Sequence, residues 1–90
     1  MNYDWDPPKA ARNIKKHGVA FEEAASVFGD PLAYTFSDPD HLSGEERLLT
    51  FGLSINQRIL VVSHVEHQTG IRIISAREAT AYERKTYQEG

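Results

Sequence analysis

The chain has 90 residues, 40% of them hydrophobic, and no low-complexity tract, which fits one independently folding domain over residues 1–90 and leaves no room for a second core. It contains no cysteine, so a disulfide framework, a thiolate metal site and a cysteine nucleophile are all excluded, and any chemistry must come from His, Arg, Lys, Tyr and carboxylates. The net charge of −3 argues against a surface given over entirely to nucleic acid, but the charge is unevenly spread: residues 1–20, 21–46 and 47–90 have balances of +2, −7 and +2.

Acid is thus confined to the middle segment, which has seven acids and no Lys or Arg. The two ends can together present a basic surface while the middle meets a basic partner, unless these are ordinary solvated faces. A chain this short hides only roughly 60–65% of its unfolded surface, so a bound partner would add stability. The N-terminus, Met1-Asn2-Tyr3-Asp4-Trp5-Asp6, has neither a basic nor an apolar leader character, and no stretch approaches the roughly 18 apolar residues of a membrane helix, so a cytoplasmic protein with no membrane partner is expected.

In chain order, residues 2–5 read as a short strand. Asp6 at an N-cap position, Pro7 at the first helical position and Gly18 as a stop predict a helix from Pro7 to His17. Its expected apolar stripe is Ala10, Ile14 and His17, and its polar, cationic arc is Lys9, Arg12, Asn13 and Lys16. Phe21, Ala24, Ala25 and Phe28 mark a second helix, ended by Asp30-Pro31, whose opposite face carries Glu22, Glu23 and Ser26. Leu32 to Ser37 reads as an edge strand, and Asp38 to Gly44 as loop.

Arg47 to Ile55 and Arg58 to Glu66 predict a hairpin about Asn56-Gln57, with its register open by one residue because the turn lacks a glycine. His67-Gln68-Thr69-Gly70 has good turn chemistry and leads into a strand over Ile71 to Arg77. Thr80-Ala81-Tyr82-Glu83 is a capping box that opens a helix running to about Glu89. The order β-α-α-β-β-β-β-α predicts an α+β sandwich with a mostly antiparallel sheet.

Two words stand out: Trp5-Asp6-x-x-Lys9-x-x-x-Asn13-x-x-Lys16-His17-Gly18-x-x-Phe21-x-x-Ala24, and Ile73-Ile74-Ser75-Ala76-Arg77-x-Ala79-Thr80-x-x-Glu83-x-x-x-Tyr87. With Phe28-x-Asp30-Pro31, Glu46-Arg47 and Val61-Val62 between them, they resemble the BrnT toxin family nearly end to end. The resemblance implies a RelE-like fold and an endoribonuclease that cleaves RNA without a metal or other cofactor. It also implies a BrnA-like antitoxin with a ribbon-helix-helix domain, a 2:2 heterotetramer, and contact with operator DNA only through that antitoxin. One departure is Glu66-His67, where family members often read Glu-Arg, so a phosphate contact is missing or made pH-dependent.

Metal-free RNA cleavage needs a base for the 2′ proton, cations for the phosphorane and an acid for the 5′ leaving oxygen. Arg77, at a strand end, is the first choice for the phosphorane, because a planar guanidinium forks onto phosphate and stays charged. A salt bridge to Glu78 or Glu83 is the plainer role for it. His17 is a candidate acid or base, or else a cap for its helix's last carbonyls. His64 and Tyr82 complete the candidate catalytic set, and Tyr82 or Tyr87 can also stack a base. Lys9, Arg12 and Lys16 can track the RNA backbone, as can Arg47, Arg58 and Arg72 if their strand ends converge. Trp5 reads as core. His64 and His67 are three apart in a strand, and His41 lies in the loop, so no metal site is expected. A second reading is a non-enzymatic corepressor module bound to its antitoxin. In either case the acids from Glu22 to Glu46 would face basic antitoxin segments.

Overall fold

The computed structural model describes residues 2–39 and 46–90; His41 and most of its loop lie outside them. The elements follow the expected order: β1 (Asn2–Asp4), α1 (Pro7–His17), α2 (Phe21–Ser26) with a single 3-10 turn (Val27–Gly29), β2 (Tyr34–Ser37), β3 (Leu48–Leu53), β4 (Ile59–His67), β5 (Gly70–Glu78) and α3 (Ala81–Glu89). The sheet order is β1-β5-β4-β3-β2, with β1 parallel to β5 and every other pair antiparallel. No helix among the described residues is long and apolar enough to cross a membrane.

Strand β4 is buried continuously from Ile59 to Val65, as a central strand covered on both faces must be. Its side chains alternate. Leu60 and Val62 join Val19, Phe21, Ala24, Val27, Ile71, Ile73 and Ala76 in a core beneath α1 and α2. Ile59 and Val61 join Phe51 and Ala79 in a second core, packed by Tyr34, Leu49, Leu53 and Tyr87.

Three local expectations change. Of the expected α1 stripe only Ala10 packs on the core: Ile14 is 52% exposed and His17 is exposed, while Asn13, grouped above with the cations, is only 6% exposed. The cause lies in the sheet. β1 pairs with β5 only through Arg72, so beyond that point the outer edge of β5 has no strand. Asn13 takes the place of one: Nδ2 donates to the Ala76 carbonyl at 2.8 Å and Oδ1 accepts from the Ala76 N–H at 3.1 Å. The same Nδ2 donates to the Val19 carbonyl at 2.8 Å, so the buried amide is fully used. Second, Asp6 occupies the N-cap position without a side-chain hydrogen bond; its carbonyl accepts from Ala10 at 3.0 Å. Third, Glu23 is buried rather than on a solvated face.

The remaining punctuation behaves as its chemistry dictates. Gly18 adopts φ 70° and closes α1 on the Ile14 carbonyl at 2.8 Å. Thr80 and Glu83 form the complete capping box of α3. The β3–β4 turn spans Ser54 to Arg58, and Gln57 takes the left-handed conformation a glycine would favour. Gly70 is required by close approach, since a Cβ there would lie 2.1 Å from the Asn2 carbonyl oxygen.

Candidate active site

The register of β4 against β5 passes from Ser63↔Ser75 to His64↔Ile73, so Ile74 is an extra residue in a β-bulge. The bulge falls where the edge of β5 is open, and bulges re-aim side chains at such edges. Beside it lies a shallow depression of about 300 Å³ lined by Lys9, Arg12, Asn13, Lys16 and His17 of α1 and by Ile74 and Ser75. Lys9, Arg12 and Lys16 recur at i, i+3 and i+7, so one helix face delivers them to the bulge, and His17 follows at its edge. None of them makes an ion pair among the described residues. The depression contains no acid, which leaves a positive field on an accessible edge. Lys16 and His17, in the last turn, also suit the carbonyl-rich end of α1.

Ala76 points into the core beneath α1, so Arg77 emerges on the opposite face, toward α3. There its guanidinium is engaged by Glu83: Nη1 donates to Oε1 at 2.8 Å and Nη2 to Oε2 at 3.0 Å. Oε1 also accepts from Thr80 N–H at 2.9 Å. The hydrogen bonds from Arg77 hold the Glu83 carboxyl at about 2, against the opposing effect of burial. Tyr82, one residue earlier, is 79% exposed.

Arg58 ties the two flanks together. Its Nη2 donates to the Gly18 carbonyl at 3.2 Å and to Glu23 at 2.5 Å, its Nε reaches Glu23 at 3.0 Å, and its Nη1 lies 3.7 Å from Glu78. Ser54 Oγ donates to the same Glu23 at 2.6 Å. The Arg58 hydrogen bonds bring the Glu23 carboxyl down to about 2 although burial pushes it up. His17 and Arg77 therefore sit at the same end of β5, but on opposite faces.

Other candidate residues are not brought to this place. His64 is 1% exposed; its Nε2 shares a hydrogen bond with Thr50 Oγ1 at 2.7 Å, and Phe28 packs edge-to-face on its ring at 4.9 Å. Burial lowers its pKa to about 4, and a phosphodiester cannot reach it, so His64 is a core residue. Arg58 is committed to Glu23, and Arg72 pairs with Asp4 at 3.3 Å. Arg58 precedes β4, whereas Arg72 stands opposite Val65 near its other end, a separation of about 20 Å along the strand. Arg47 precedes Leu48, which stands opposite His64, and its Nε is buried without a hydrogen-bond partner among the described residues. The three strand-end arginines thus do not meet at one place: Arg47 and Arg72 flank the same end of β4, and Arg58 lies at the other. Tyr87 is structural: its hydroxyl donates to Asp30, its ring stacks on Tyr34, and burial, with Asp30 beside it, raises its pKa to about 12. Trp5 packs on Phe21 as part of the first core. Among the described residues no group of three His, Asp or Glu side chains is placed to hold a metal ion.

Three residues of consequence escaped the sequence reading. Asn13 carries a faint signal, because asparagine is a poor choice for a helix interior and needs a reason to be there. Glu23 carries none beside its neighbour Glu22. Asp30 reads as a simple turn residue, yet its carboxylate accepts from Leu32 N–H at 2.9 Å, Leu53 N–H at 2.8 Å and the Tyr87 hydroxyl. Burial raises its pKa, but these bonds outweigh it and the net shift is downward. With Glu23 and Asp30 used internally, the acidic middle segment is not one continuous solvated face.

Comparison with known proteins agrees with this architecture. The sequence pattern of a family described as "Ribonuclease toxin, BrnT, of type II toxin-antitoxin system" matches residues 5–83. Among solved structures, the fold is similar to the 1.1 Å crystal structure of the Brucella abortus ribonuclease toxin, BrnT, with a TM-score of 0.65 and 25% sequence identity over 88% of this chain and 99% of that one. A comparison with curated proteins found no match. The chain belongs to the BrnT family of ribonuclease toxins of type II toxin–antitoxin systems, a class that implies an RNA target and an antitoxin partner.

Proposed function

We propose that this single-domain toxin is a metal-independent endoribonuclease that blocks translation by cutting RNA along the open edge of β5. The observation that carries this reading is the set of Lys9, Arg12, Lys16 and His17 around the bulge at Ile74–Ser75, with no acid among them. Ammonium and guanidinium groups there supply the charge that a phosphodiester seeks. In the reaction the 2′-oxygen attacks phosphorus, the P–O5′ bond breaks, and a 2′,3′-cyclic phosphate and a 5′-hydroxyl result. His17, exposed at the rim, exchanges the proton and Arg12 and Lys16 beside it steady the phosphorane; Arg77, on the opposite face of the same strand end, grips an adjoining phosphate, and Tyr82 offers an exposed ring to a neighbouring base. A BrnA-like ribbon-helix-helix antitoxin neutralises the toxin in the cytoplasm as a 2:2 heterotetramer, and operator DNA is met only through that antitoxin.

The test is cleavage of RNA by the purified chain in EDTA. Activity is expected to persist there and to fall at least 100-fold in folded His17→Ala and Arg77→Ala variants. Cleavage that disappears with EDTA and returns with a divalent ion would overturn the metal-free mechanism, and full activity in either variant would remove that residue from it. The second reading, a non-enzymatic corepressor, is favoured by one feature: the fork of Arg77 is already filled by Glu83. Expression without antitoxin separates the two, because an enzyme arrests growth and a corepressor does not.

A further inference from the structure

We infer that Glu83 is an internal stand-in for phosphate, and that RNA must compete with it for the guanidinium of Arg77. The proposal rests on the reading of Arg77 as a phosphate-binding residue. A carboxylate that meets both Nη atoms at 2.8 and 3.0 Å fills the donor fork that a phosphodiester would fill. The pair lies at the surface, with Arg77 41% and Glu83 22% exposed, so an incoming anion can reach it.

The environment makes the exchange feasible. Glu83 Oε1 keeps a second donor, Thr80 N–H, so the capping box survives when Arg77 turns away. Among the described residues Arg77 has no such second acid: its other contact is a weak one, from Nη1 to the Glu78 carbonyl at 3.4 Å. A phosphate that arrives while Glu83 is in place meets like charge within a few ångströms, which weakens its binding. Glu83 thereby sets how tightly RNA is held, and it does so without touching the α1 cations.

Glu83→Gln isolates this effect, because glutamine at the same position still closes a capping box but carries no charge. The probe is a 2′-O-methyl oligoribonucleotide, which binds but lacks the attacking hydroxyl. Glu83→Gln is expected to bind it about tenfold more tightly than the wild type, and Arg77→Ala/Glu83→Gln no more tightly than Arg77→Ala alone. Unchanged or weaker binding by a Glu83→Gln protein with wild-type Tm overturns the proposal. So does a gain that persists without Arg77, which would be a general charge effect. If Glu83→Gln does not fold, Glu83→Ala, which also removes the charge, is read by the same criteria. Cleavage by the wild type in EDTA is scored separately. Tightening that depends on Arg77 in a protein that never cleaves leaves the stand-in intact and removes the enzyme, and cleavage without tightening does the reverse.

Discussion

The two flanks of β5 are built from similar side chains and end in opposite electrostatic states. On the α1 flank Lys9, Arg12, Lys16 and His17 surround a depression and make no ion pair among the described residues. On the flank that faces α3, Arg77 and Glu83 are paired, and Arg58 joins Glu23 and Glu78 at the same strand end. Pairing, rather than the number of basic residues, decides which surface attracts an anion. A cation whose donors are already satisfied adds little field and must first be released.

The largest expected effect comes from cutting the seam between α1 and β5. Asn13→Ala leaves the Ala76 N–H, the Ala76 carbonyl and the Val19 carbonyl without their side-chain partner, and should lower unfolding free energy by about 3–5 kcal/mol in urea titration. A loss under about 1 kcal/mol would mean that water replaces the amide and that the seam is not what aligns the cations with the bulge.

Next in size is the acid response. His64 has a folded pKa of about 4 against 6.5 for its ordinary value. As pH falls through this interval the unfolded chain takes up a proton that the native state refuses, so stability drops. Glu23 and Glu83, both held at about 2 against 4.5, favour the folded state above pH 4.5, and that contribution is lost as pH falls from 4.5 toward 2. Thermal melts should therefore decline continuously from about pH 6.5 downward. In His64→Gln the part between 6.5 and 4, worth up to about 3 kcal/mol, should vanish while the lower part stays. A profile for His64→Gln that matches the wild type would show that the imidazole is not the group responsible.

The smallest effect on stability, and the most direct test of the two flanks, is charge removal. Replacing Lys9, Arg12 and Lys16 together with Ala should reduce the slope of log affinity against log salt for single-stranded RNA by about 2, with little change in Tm. Replacing the paired Arg72 should leave that slope nearly unchanged. Equal effects would mean that pairing does not silence a cation here.

Much of the fold was legible in the order of residues. The Pro7 and Gly18 limits of α1, the Thr80–Glu83 box and the order of elements along the chain followed from local chemistry, because caps and turns act over three or four residues. The cationic arc was legible for the same reason, since helical spacing alone places Lys9, Arg12 and Lys16 on one face. The fate of single polar residues was not. Nothing near Asn13 announces that β1 stops pairing at Arg72, and nothing beside Glu22 says that Glu23 meets Arg58 thirty-five positions away.

Local sequence by itself determined where helices begin and end, which strands alternate and which face of α1 carries charge, because these depend on neighbours within a turn or two. Only the tertiary structure decided which charges are answered and which are left open: it buried His64, closed Glu83 on Arg77, and opened a bulge beside Lys16 and His17. The reason is that a charge's partner is chosen by distance in space, and that distance is set by strand register rather than by position along the chain.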